Sequence, residues 1–207
     1  GSGKVFYESH SFPSSRVGLV LQRWLVPRLD GLIVLTQSLA QCYVNKAILT
    51  NRVAVIGDAV DIEAFGLLGK AEARHELGIG QDDFIVMYVG QMYKWKGVDT
   101  LVASGALLPD DARVWLVGGT PEELPRIEKL VRESGFGRVK LVGYVPPTQI
   151  PTYMAAADVL LVPNSAKAPV SRYYTSPLKL FEYMASERPI VASDLPALRE
   201  IIAHEET

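Results

Sequence analysis

Short runs of Val, Ile and Leu alternate with amphipathic segments along the whole chain. Most of these runs lack the polar alternation of a half-exposed strand, which is typical of strands buried on both faces of a parallel sheet. The segments between them carry helical periodicity, so the order of elements predicts an α/β fold with a Rossmann-like, doubly wound parallel sheet. The predicted strands are Val5–Glu8, Leu32–Thr36, Val53–Ile56, Ile85–Val89, Val114–Val117, Val139–Leu141, Val159–Val162 and Ile190–Ala192.

Three segments carry helix signals. Thr120–Glu123 offers an N-cap hydroxyl, a proline for the first helical position and a capping-box glutamate, so a helix is predicted from there to Ser134. Ser176–Pro177 repeats the start signal ahead of the apolar segment Leu178–Met184. A shorter helix is predicted over Lys70–Leu77, because a glycine follows it directly.

The regular pattern breaks between about Gly57 and Asp82, and we predict a domain boundary near Val60. Residues 1–58 hold too few strands for an independent sheet and are interpreted as the C-terminal remnant of a second, partial α/β domain. Residues 59–207 form a small Rossmann-like domain with five predicted strands. Because its last residues directly follow an apolar helical pattern, this domain is predicted to be truncated at its C-terminus.

The composition is that of an ordinary globular protein, with 48% apolar and 21% charged residues. The formal net charge of −2 provides no concentrated basic footprint, which disfavours a nucleic-acid partner. The single cysteine excludes an internal disulfide, and no apolar run reaches the roughly 18 residues of a membrane span. We therefore expect a cytoplasmic protein. The basic and apolar segment Arg16–Leu25 favours an ordinary packed helix, with a peripheral contact at the inner face of the membrane as the alternative.

Several common cofactor motifs are absent from the sequence. No G-x-G-x-x-G follows a strand, and Gly90–Gly97 lacks the Lys-Ser or Lys-Thr of a P-loop, so no nicotinamide, flavin or P-loop nucleotide is predicted. The three histidines, His10, His75 and His204, are far apart and show no metal-ligand spacing. The sequence therefore predicts neither a cofactor nor a metal site.

A loop with two lysines follows the predicted strand Ile85–Val89. In doubly wound sheets, ligands bind beyond the carboxyl ends of the strands. Gly90 would let a ligand approach the backbone, and Lys94 and Lys96 would place positive charge over a phosphate. A solvated loop with ordinary surface lysines explains the same pattern, and the spacing alone does not choose between the two.

The helix that starts at Ser176–Pro177 offers a second anion site, because its first N–H groups are free and its dipole favours negative charge. Lys179 adds positive charge there. Glu182 lies about one turn further on and would accept hydrogen bonds from two vicinal hydroxyls. Taken by itself, Glu182 is explained more simply as a surface glutamate in a helix.

Together, in this order and spacing, several segments resemble the retaining glycosyltransferases of the GT-B, family 4 type. The resemblance covers nearly the whole chain and mainly concerns the C-terminal, donor-binding domain of that family. The segments that carry it are Val89–Gly97, similar to V-G-R-L-x-x-x-K-G, Leu116–Gly119, similar to V-G-x-G, Val139–Val145, similar to V-x-F-L-G-x-V, Asp158–Asn164, similar to A-D-V-x-x-x-P-S, and Lys179–Ala185 with Arg188–Ala192, similar to E-A/Y-M-A-x-G-x-P-V-V-A.

The resemblance implies a site for a nucleotide-diphosphate sugar, which is a donor substrate and not a cofactor. Lys96 would contact the diphosphate, Gly90 would lie beneath it, and Gln91 and Lys94 would flank it on the same loop. Backbone atoms around Val145 would contact the edge of the base. The acceptor would be a saccharide, a lipid-linked saccharide or a small molecule.

The same resemblance implies roles for the second segment and for the start of the chain. Ser176 and the amides of Leu178 and Lys179 would hold the phosphates, and Glu182 would bind the ribose hydroxyls. His10, at the end of the first strand, would reach towards the transferred sugar. Transfer would proceed without a metal and with retention of configuration. The predicted catalytic residues are His10, Lys96 and Glu182.

Two positions depart from the family pattern. The arginine that precedes the Lys-Gly pair is Gln91 here, and a lysine such as Lys94 cannot form the same bidentate clamp. The glutamate that stands eight residues before the ribose glutamate, and normally meets the donor sugar, is Tyr174. These departures support a non-catalytic nucleotide-sugar-binding module as an alternative. A nucleotide-sugar epimerase on the same scaffold is a second alternative. The isolated chain is expected to have weak activity or none.

Overall fold

The computed structural model describes residues 3–48, 52–65 and 68–204, and these divide into two compact units. The first unit consists of Gly1–Asp58, Ala166–Pro177 and Asp194–Thr207, and the second of Ala59–Ser165 and Leu178–Ser193. The sequence assigned 166–177 and 194–207 to the second domain, whereas the structure groups them with the first unit. Hydrophobic periodicity does not reveal such returns, because they depend on contacts between residues far apart in the chain.

The first unit contains a three-stranded parallel sheet with the spatial order β1-β2-β3. Its core contains the buried side chains of Leu32 and Val34 from the middle strand and of Leu39 and Tyr43 from the following helix. The elements of this unit are β1 (Phe6–Ser9), α1 (Arg16–Leu25), β2 (Gly31–Val34), α2 (Gln37–Asn45), β3 (Val53–Val55) and, after the second unit, α8 (Pro196–Arg199).

The chain segments around Tyr173 and Glu200 are both hydrogen-bonded to residues at the start of α2. The carboxylate of Glu200 accepts hydrogen bonds from the backbone N–H groups of Gln37 (2.7 Å) and Ser38 (2.9 Å), which satisfies free donors at the helix N-terminus. The hydroxyl of Thr36 donates to the carbonyl of Tyr173 at 3.0 Å, in a π-helical turn. These bonds explain why both segments belong to the first unit.

The second unit is a five-stranded parallel sheet with helices between its strands. All eight strands predicted from the sequence are present in the two units, so the predicted α/β, Rossmann-like fold class is confirmed. The elements of the second unit are α3 (Lys70–Leu77), β4 (Phe84–Val89), α4 (Val98–Ser104), β5 (Ala112–Val117), α5 (Leu124–Ser134), β6 (Val139–Gly143), α6 (Ile150–Ala156), β7 (Val159–Val162), α7 (Leu178–Ala185) and β8 (Ile190–Ala192).

The strand order β6-β5-β4-β7-β8 places a topological switch point between β4 and β7. From β4 the chain adds β5 and β6 on one side, and then returns to add β7 and β8 on the other. In open parallel sheets of this kind, the crevice beyond the carboxyl ends of the strands at the switch point is where ligands bind. The residues that follow β4 and β7 are therefore the first place to look for a site.

The helix predicted from Thr120–Glu123 begins three residues later than the sequence indicated, at Leu124. Residues 121–123 form a turn instead, and the carboxylate of Glu123 accepts hydrogen bonds from the N–H groups of Thr120 (2.9 Å) and Met92 (3.2 Å). The capping bond between Glu123 and Thr120 is present, but the glutamate serves a second loop as well. The predicted end at Ser134 and the predicted helix Lys70–Leu77 are confirmed.

Helix α1 packs on the first unit through Leu19, as the sequence favoured, but none of its residues is fully buried. Its apolar side chains at helical spacing form an exposed stripe: Val17, Val20, Leu21 and Trp24 are 59–70% exposed. Arg16 and Arg23 are also exposed. None of the helices in the described part of the chain is both long and apolar enough to span a bilayer.

Candidate functional site

The backbone just beyond β4 lies against the side chain of Lys179 on α7. Gly90 has a φ of +132°, a conformation that side-chain-bearing residues rarely adopt. A Cβ atom added to Gly90 would lie 3.1 Å from Nζ of Lys179. A side chain at position 90 would therefore be strained and would crowd this ammonium group.

Lys179 is a buried lysine whose ammonium group lies over the ring of Tyr88. The residue is 8% exposed, and its Nζ has no hydrogen-bond partner among the described residues. Burial lowers the pKa of Lys179 well below its usual value, and the nearby charge of Lys96 lowers it further, while Glu182 opposes the shift. A buried cation that lacks a partner is costly, so this group is suited to receive an anion.

Lys96 lies at the end of a 3₁₀ turn, Lys94–Lys96, in the loop after β4. Its ammonium lies 4.0 Å from the centre of the Trp95 ring, and burial lowers its pKa to about 8. Gln91 and Lys94 lie on the same loop and are exposed. The loop thus presents one half-buried lysine and two groups that face solvent.

Gly97 closes this loop against the end of β7. Its φ is +76°, and a Cβ atom there would lie 1.7 Å from the carbonyl oxygen of Pro163. The backbone N–H of Ser165 also donates to the carbonyl of Trp95 at 2.9 Å. The lysine loop is therefore packed against the chain that leaves β7, across the switch point.

Two residues that sequence analysis did not assign to the site hold it in place. The hydroxyl of Tyr183 accepts from the Val89 N–H (2.8 Å) and lies 3.2 Å from the Val89 carbonyl, which ties α7 to the end of β4. Arg126 donates to the carbonyl of Met92 and pairs with Asp99. The sequence offered one signal for Tyr183: it directly follows Glu182 in the predicted helix, at a position expected to be buried.

Glu182 and Val145 are two further predicted site residues that lie in the second unit. Burial raises the pKa of Glu182, and the adjacent Lys179 partly offsets that rise. Val145 is buried and follows β6, two strands away from β4, while its neighbour Tyr144 is exposed. The carboxyl edge of the sheet therefore carries Val145, Gly90 and the residues after β7 in spatial order.

The family of this chain is shown by comparison with known proteins. The family model for glycosyl transferases group 1 matches residues 83–207, more than half of the chain. The chain belongs to this glycosyltransferase family. D-inositol 3-phosphate glycosyltransferase from Geodermatophilus obscurus is 28% identical over 205 residues, covering 92% of this chain and 44% of that enzyme. The chain therefore spans less than half the length of this curated relative.

Solved structures of other proteins share the fold. Sucrose-phosphate synthase from Thermosynechococcus elongatus matches with a TM-score of 0.76 and 27% identity, covering 94% of this chain and 51% of that one. Anabaena Alr3699/HepE, solved in complex with UDP, matches with a TM-score of 0.83 and 22% identity, covering 97% of this chain and 56% of that one. The predicted GT-B fold is confirmed by these similarities.

The predicted site residues of this glycosyltransferase chain fall in both units. Gly90, Lys96, Lys179 and Glu182 come together around the end of β4. Gln91 and Lys94 share the loop, Leu178 begins α7 and is 46% exposed, and Val145 lies further along the sheet edge. Two members lie in the first unit, His10 and Ser176.

The two predicted residues in the first unit make local bonds there. His10 follows β1, is exposed, and its Nε2 lies 2.8 Å from the carboxylate of Glu8. The hydroxyl of Ser176 accepts from the backbone N–H of Asp58 at 3.1 Å. Tyr174, where the family has a glutamate, lies with its hydroxyl 3.9 Å from the Sγ of Cys42. The ligand-binding roles of His10 and Ser176 stay predictions.

Proposed function

We propose that this chain is the donor-binding part of a glycosyltransferase that uses a nucleotide-diphosphate sugar. The observation that carries the proposal is the buried, unpartnered ammonium of Lys179 beside Gly90, at the switch point of a doubly wound sheet. A diphosphate supplies the anionic oxygens that such a group requires. Lys96, on the facing loop, supplies a second positive charge to the same diphosphate.

The remaining residues of the second unit bind the nucleoside. Glu182 accepts hydrogen bonds from the two ribose hydroxyls, because a half-buried carboxylate one turn after Lys179 offers two acceptor oxygens. Backbone atoms around Val145 contact the base, two strands away along the edge. His10 and Ser176 keep their predicted roles on the transferred sugar and on the phosphates as part of this proposal.

The chemistry follows from where charge develops. An acceptor oxygen forms a bond to the anomeric carbon, the bond from that carbon to the phosphate oxygen breaks, and the departing diphosphate takes up the proton of the acceptor hydroxyl. Negative charge builds on the leaving diphosphate, and fixed cations aimed at it stabilise the transition state. Lys96 and Lys179 perform this task, so the proposed transfer requires no metal. Retention of configuration is part of the proposal through the family resemblance.

The known relatives support transfer over epimerisation. The relative from Geodermatophilus obscurus is named as a glycosyltransferase. Structures of Alr3699/HepE contain UDP, UDP with glucose, and UDP-glucose. UDP and UDP-glucose are therefore the first ligands to test with this chain. The acceptor is a saccharide, a lipid-linked saccharide or a small molecule in this proposal, and the reaction takes place in the cytoplasm.

The proposal also includes a peripheral membrane contact through α1. Four apolar side chains at helical spacing are exposed on this helix, and Arg16 and Arg23 are exposed on it as well. An anionic bilayer surface matches both features, because it accepts the apolar stripe and attracts the arginines. Leu19 of the same helix packs against the core of the first unit, so the helix is anchored on its other side.

A thermal-shift panel with UDP, GDP, ADP and their glucose or mannose derivatives tests the donor site. We expect one nucleotide series to raise the melting temperature of the chain, and we expect Lys96→Ala and Glu182→Ala to abolish that shift. Gln81→Ala is a matched control, since Gln81 is an exposed residue that precedes β4 at the opposite edge of the sheet. A ligand-specific shift that survives in both site variants would show that the site is elsewhere.

A further inference from the structure

The chain that leaves β7 carries a buried amide with no partner. Asn164 is 2% exposed, and neither Oδ1 nor Nδ2 of its side chain has a hydrogen-bond partner among the described residues. Leaving such a group unsatisfied costs about 1–3 kcal/mol. Buried polar groups are nearly always bonded in folded proteins, so this amide needs an explanation.

Asn164 lies across the switch point from Gly90, next to the lysine loop. Its backbone nitrogen would lie 3.4 Å from a Cβ added to Gly97, and the following residue donates to the carbonyl of Trp95. The unpartnered amide therefore flanks the loop that carries Lys96. It belongs to the second unit, as do Gly90 and Lys179.

The chemistry of the amide limits what can satisfy it. Nδ2 donates and Oδ1 accepts, so a ligand that satisfies both atoms must itself accept and donate. A fully ionised phosphate oxygen only accepts, and it would repel Oδ1. A hydroxyl group both donates and accepts, and a pair of neighbouring sugar hydroxyls matches the two amide atoms.

The order of positions along the sheet edge points to one sugar of the donor. Val145 follows β6, Gly90 follows β4, and Asn164 follows β7, and the strands are ordered β6-β5-β4-β7. Adjacent strands are about 4.8 Å apart, so the first and last positions are separated by roughly three such steps. Base, diphosphate and transferred sugar are joined in that same order, which places the transferred sugar at Asn164.

We propose that Asn164 binds hydroxyl groups of the transferred sugar and so contributes to donor specificity. This inference rests on the proposed function, because it assigns the part of the donor beyond the diphosphate. The residue that occupies the family's sugar-contacting position is Tyr174, which has no carboxylate. The unpartnered amide of Asn164, in the second unit, offers the transferred sugar one hydrogen-bond donor and one acceptor.

Calorimetric titration of the full chain tests this role by comparing each sugar nucleotide with its own nucleoside diphosphate. The probes are UDP-glucose against UDP, GDP-mannose against GDP and ADP-glucose against ADP. In Asn164→Leu, which has a similar volume but no hydrogen-bonding atoms, we expect the affinity for the nucleoside diphosphate to stay within about twofold. The affinity for the sugar nucleotide is expected to fall about tenfold, the loss of one or two hydrogen bonds.

Two further variants separate a binding role from a structural one. Asn164→Ala should give the same selective loss, which covers the case in which leucine does not fit. Gln81→Leu removes an amide at the opposite sheet edge and should leave both affinities unchanged. The melting temperature of Asn164→Leu should not fall, since an unsatisfied amide is replaced by an apolar group.

The outcomes distinguish this inference from the proposed function. If the unaltered chain binds no nucleotide, both are overturned. If it binds a nucleoside diphosphate and both Asn164 variants weaken the diphosphate and the sugar nucleotide equally, or weaken neither, this inference is wrong and the proposed function stands. A selective loss of sugar-nucleotide affinity supports both.

Discussion

The ammonium nitrogen of Lys179 lies 3.6 Å from the centre of the Tyr88 ring. This contact brings the first turn of α7 onto β4, just below the glycine at which the strand ends. The ring stabilises the cation by a cation–π interaction, but it offers no hydrogen-bond acceptors for the three N–H groups of the ammonium. The buried lysine is therefore held in place and still requires an anion.

Replacing Lys179 is expected to weaken nucleotide binding without lowering the stability of the fold. In Lys179→Met we expect the free energy of unfolding to stay the same or to rise by about 1 kcal/mol, because a buried charge is replaced by an apolar chain of similar length. The Kd for a nucleoside diphosphate should rise about tenfold to a hundredfold, from the loss of a charge-assisted hydrogen bond. Urea unfolding and calorimetric titration measure the two effects. A variant that is less stable but binds normally would contradict the assigned role.

Binding of the diphosphate should depend on pH through Lys96. Its pKa is lowered to about 8, so the cation that attracts phosphate is lost as the pH rises through that value. We expect the affinity for a nucleoside diphosphate to decrease progressively above pH 8 in the unaltered chain. Lys96→Arg, which stays charged, should retain its affinity over the same range. Identical pH profiles for the two proteins would exclude Lys96 from the site.

The lowered pKa of Lys96 also determines how the stability of the fold changes with pH. Between about pH 8 and 10.5, the unfolded chain holds a proton on Lys96 that the folded chain has released. Because the unfolded state binds more protons in this window, the contribution of Lys96 to stability increases with pH there. Lys96→Met should reduce that increase, which denaturant titrations at several pH values would measure. A steeper rise with pH in the variant would contradict the shift.

Gly97 is expected to tolerate no side chain. Gly97→Ala places a methyl group on the carbonyl oxygen of Pro163 and forces a non-glycine residue to adopt a φ of +76°. We expect a loss of more than about 2 kcal/mol, with weakened nucleotide binding. Gly135→Ala is the matched control, since Gly135 has a φ of +66° but nothing within 4 Å of the added atom, and should lose about 1 kcal/mol. Equal losses in both variants would show that the steric contact is unimportant.

Arg74 anchors the opposite edge of the second sheet. This buried residue donates to the carbonyls of Ala156 (3.1 Å) and Gln81 (2.6 Å) and to Asp158 (2.6 Å). Arg74→Met should cost about 3 kcal/mol, because it removes three hydrogen bonds of about 1 kcal/mol each. The carboxylate of Asp158 keeps its bonds to Lys70 and to the N–H of Ile85. Arg113→Met, which removes an exposed arginine 3.1 Å from an aspartate, should cost less than about 1 kcal/mol.

The exposed stripe on α1 should bind anionic membranes. In co-sedimentation with vesicles that contain an anionic lipid, we expect the double variant Val20→Ser/Leu21→Ser to partition about tenfold less than the unaltered chain, from lost apolar contact. Leu107→Ser is the control, since Leu107 is 87% exposed on the second unit. No binding of the unaltered chain, or equal losses in both variants, would exclude a membrane role for α1.

Local signals predicted the fold more completely than the site. Continuous apolar runs identified every strand, because burial on both faces of a sheet leaves a direct mark on the sequence. The start of α5 was misplaced because Glu123 bonds to Met92 as well as to Thr120, and only the first partner is far away in sequence. The return of Glu200 to the start of α2 was invisible for the same reason, being set by a contact across 162 residues.

The site residues also divide into those that local sequence signals predict and those that depend on contacts distant in the chain. Lys96, Lys179 and Glu182 were identified by their position at strand and helix ends, which short motifs encode. Tyr183 and Asn164 were missed, since the first acts through a bond to a strand that precedes it by many residues. Asn164 is identified by the absence of hydrogen-bond partners for its side-chain amide among the described residues, and no sequence pattern indicates such an absence.

A crystal structure of the chain with its best-binding nucleoside diphosphate tests the central claim most directly. The quantity to measure is the distance from Nζ of Lys179 to the nearest phosphate oxygen. We predict hydrogen-bond contact, about 2.7–2.9 Å, with the diphosphate beside Gly90. A diphosphate bound elsewhere, with Lys179 still over Tyr88 and without a partner, would contradict the account.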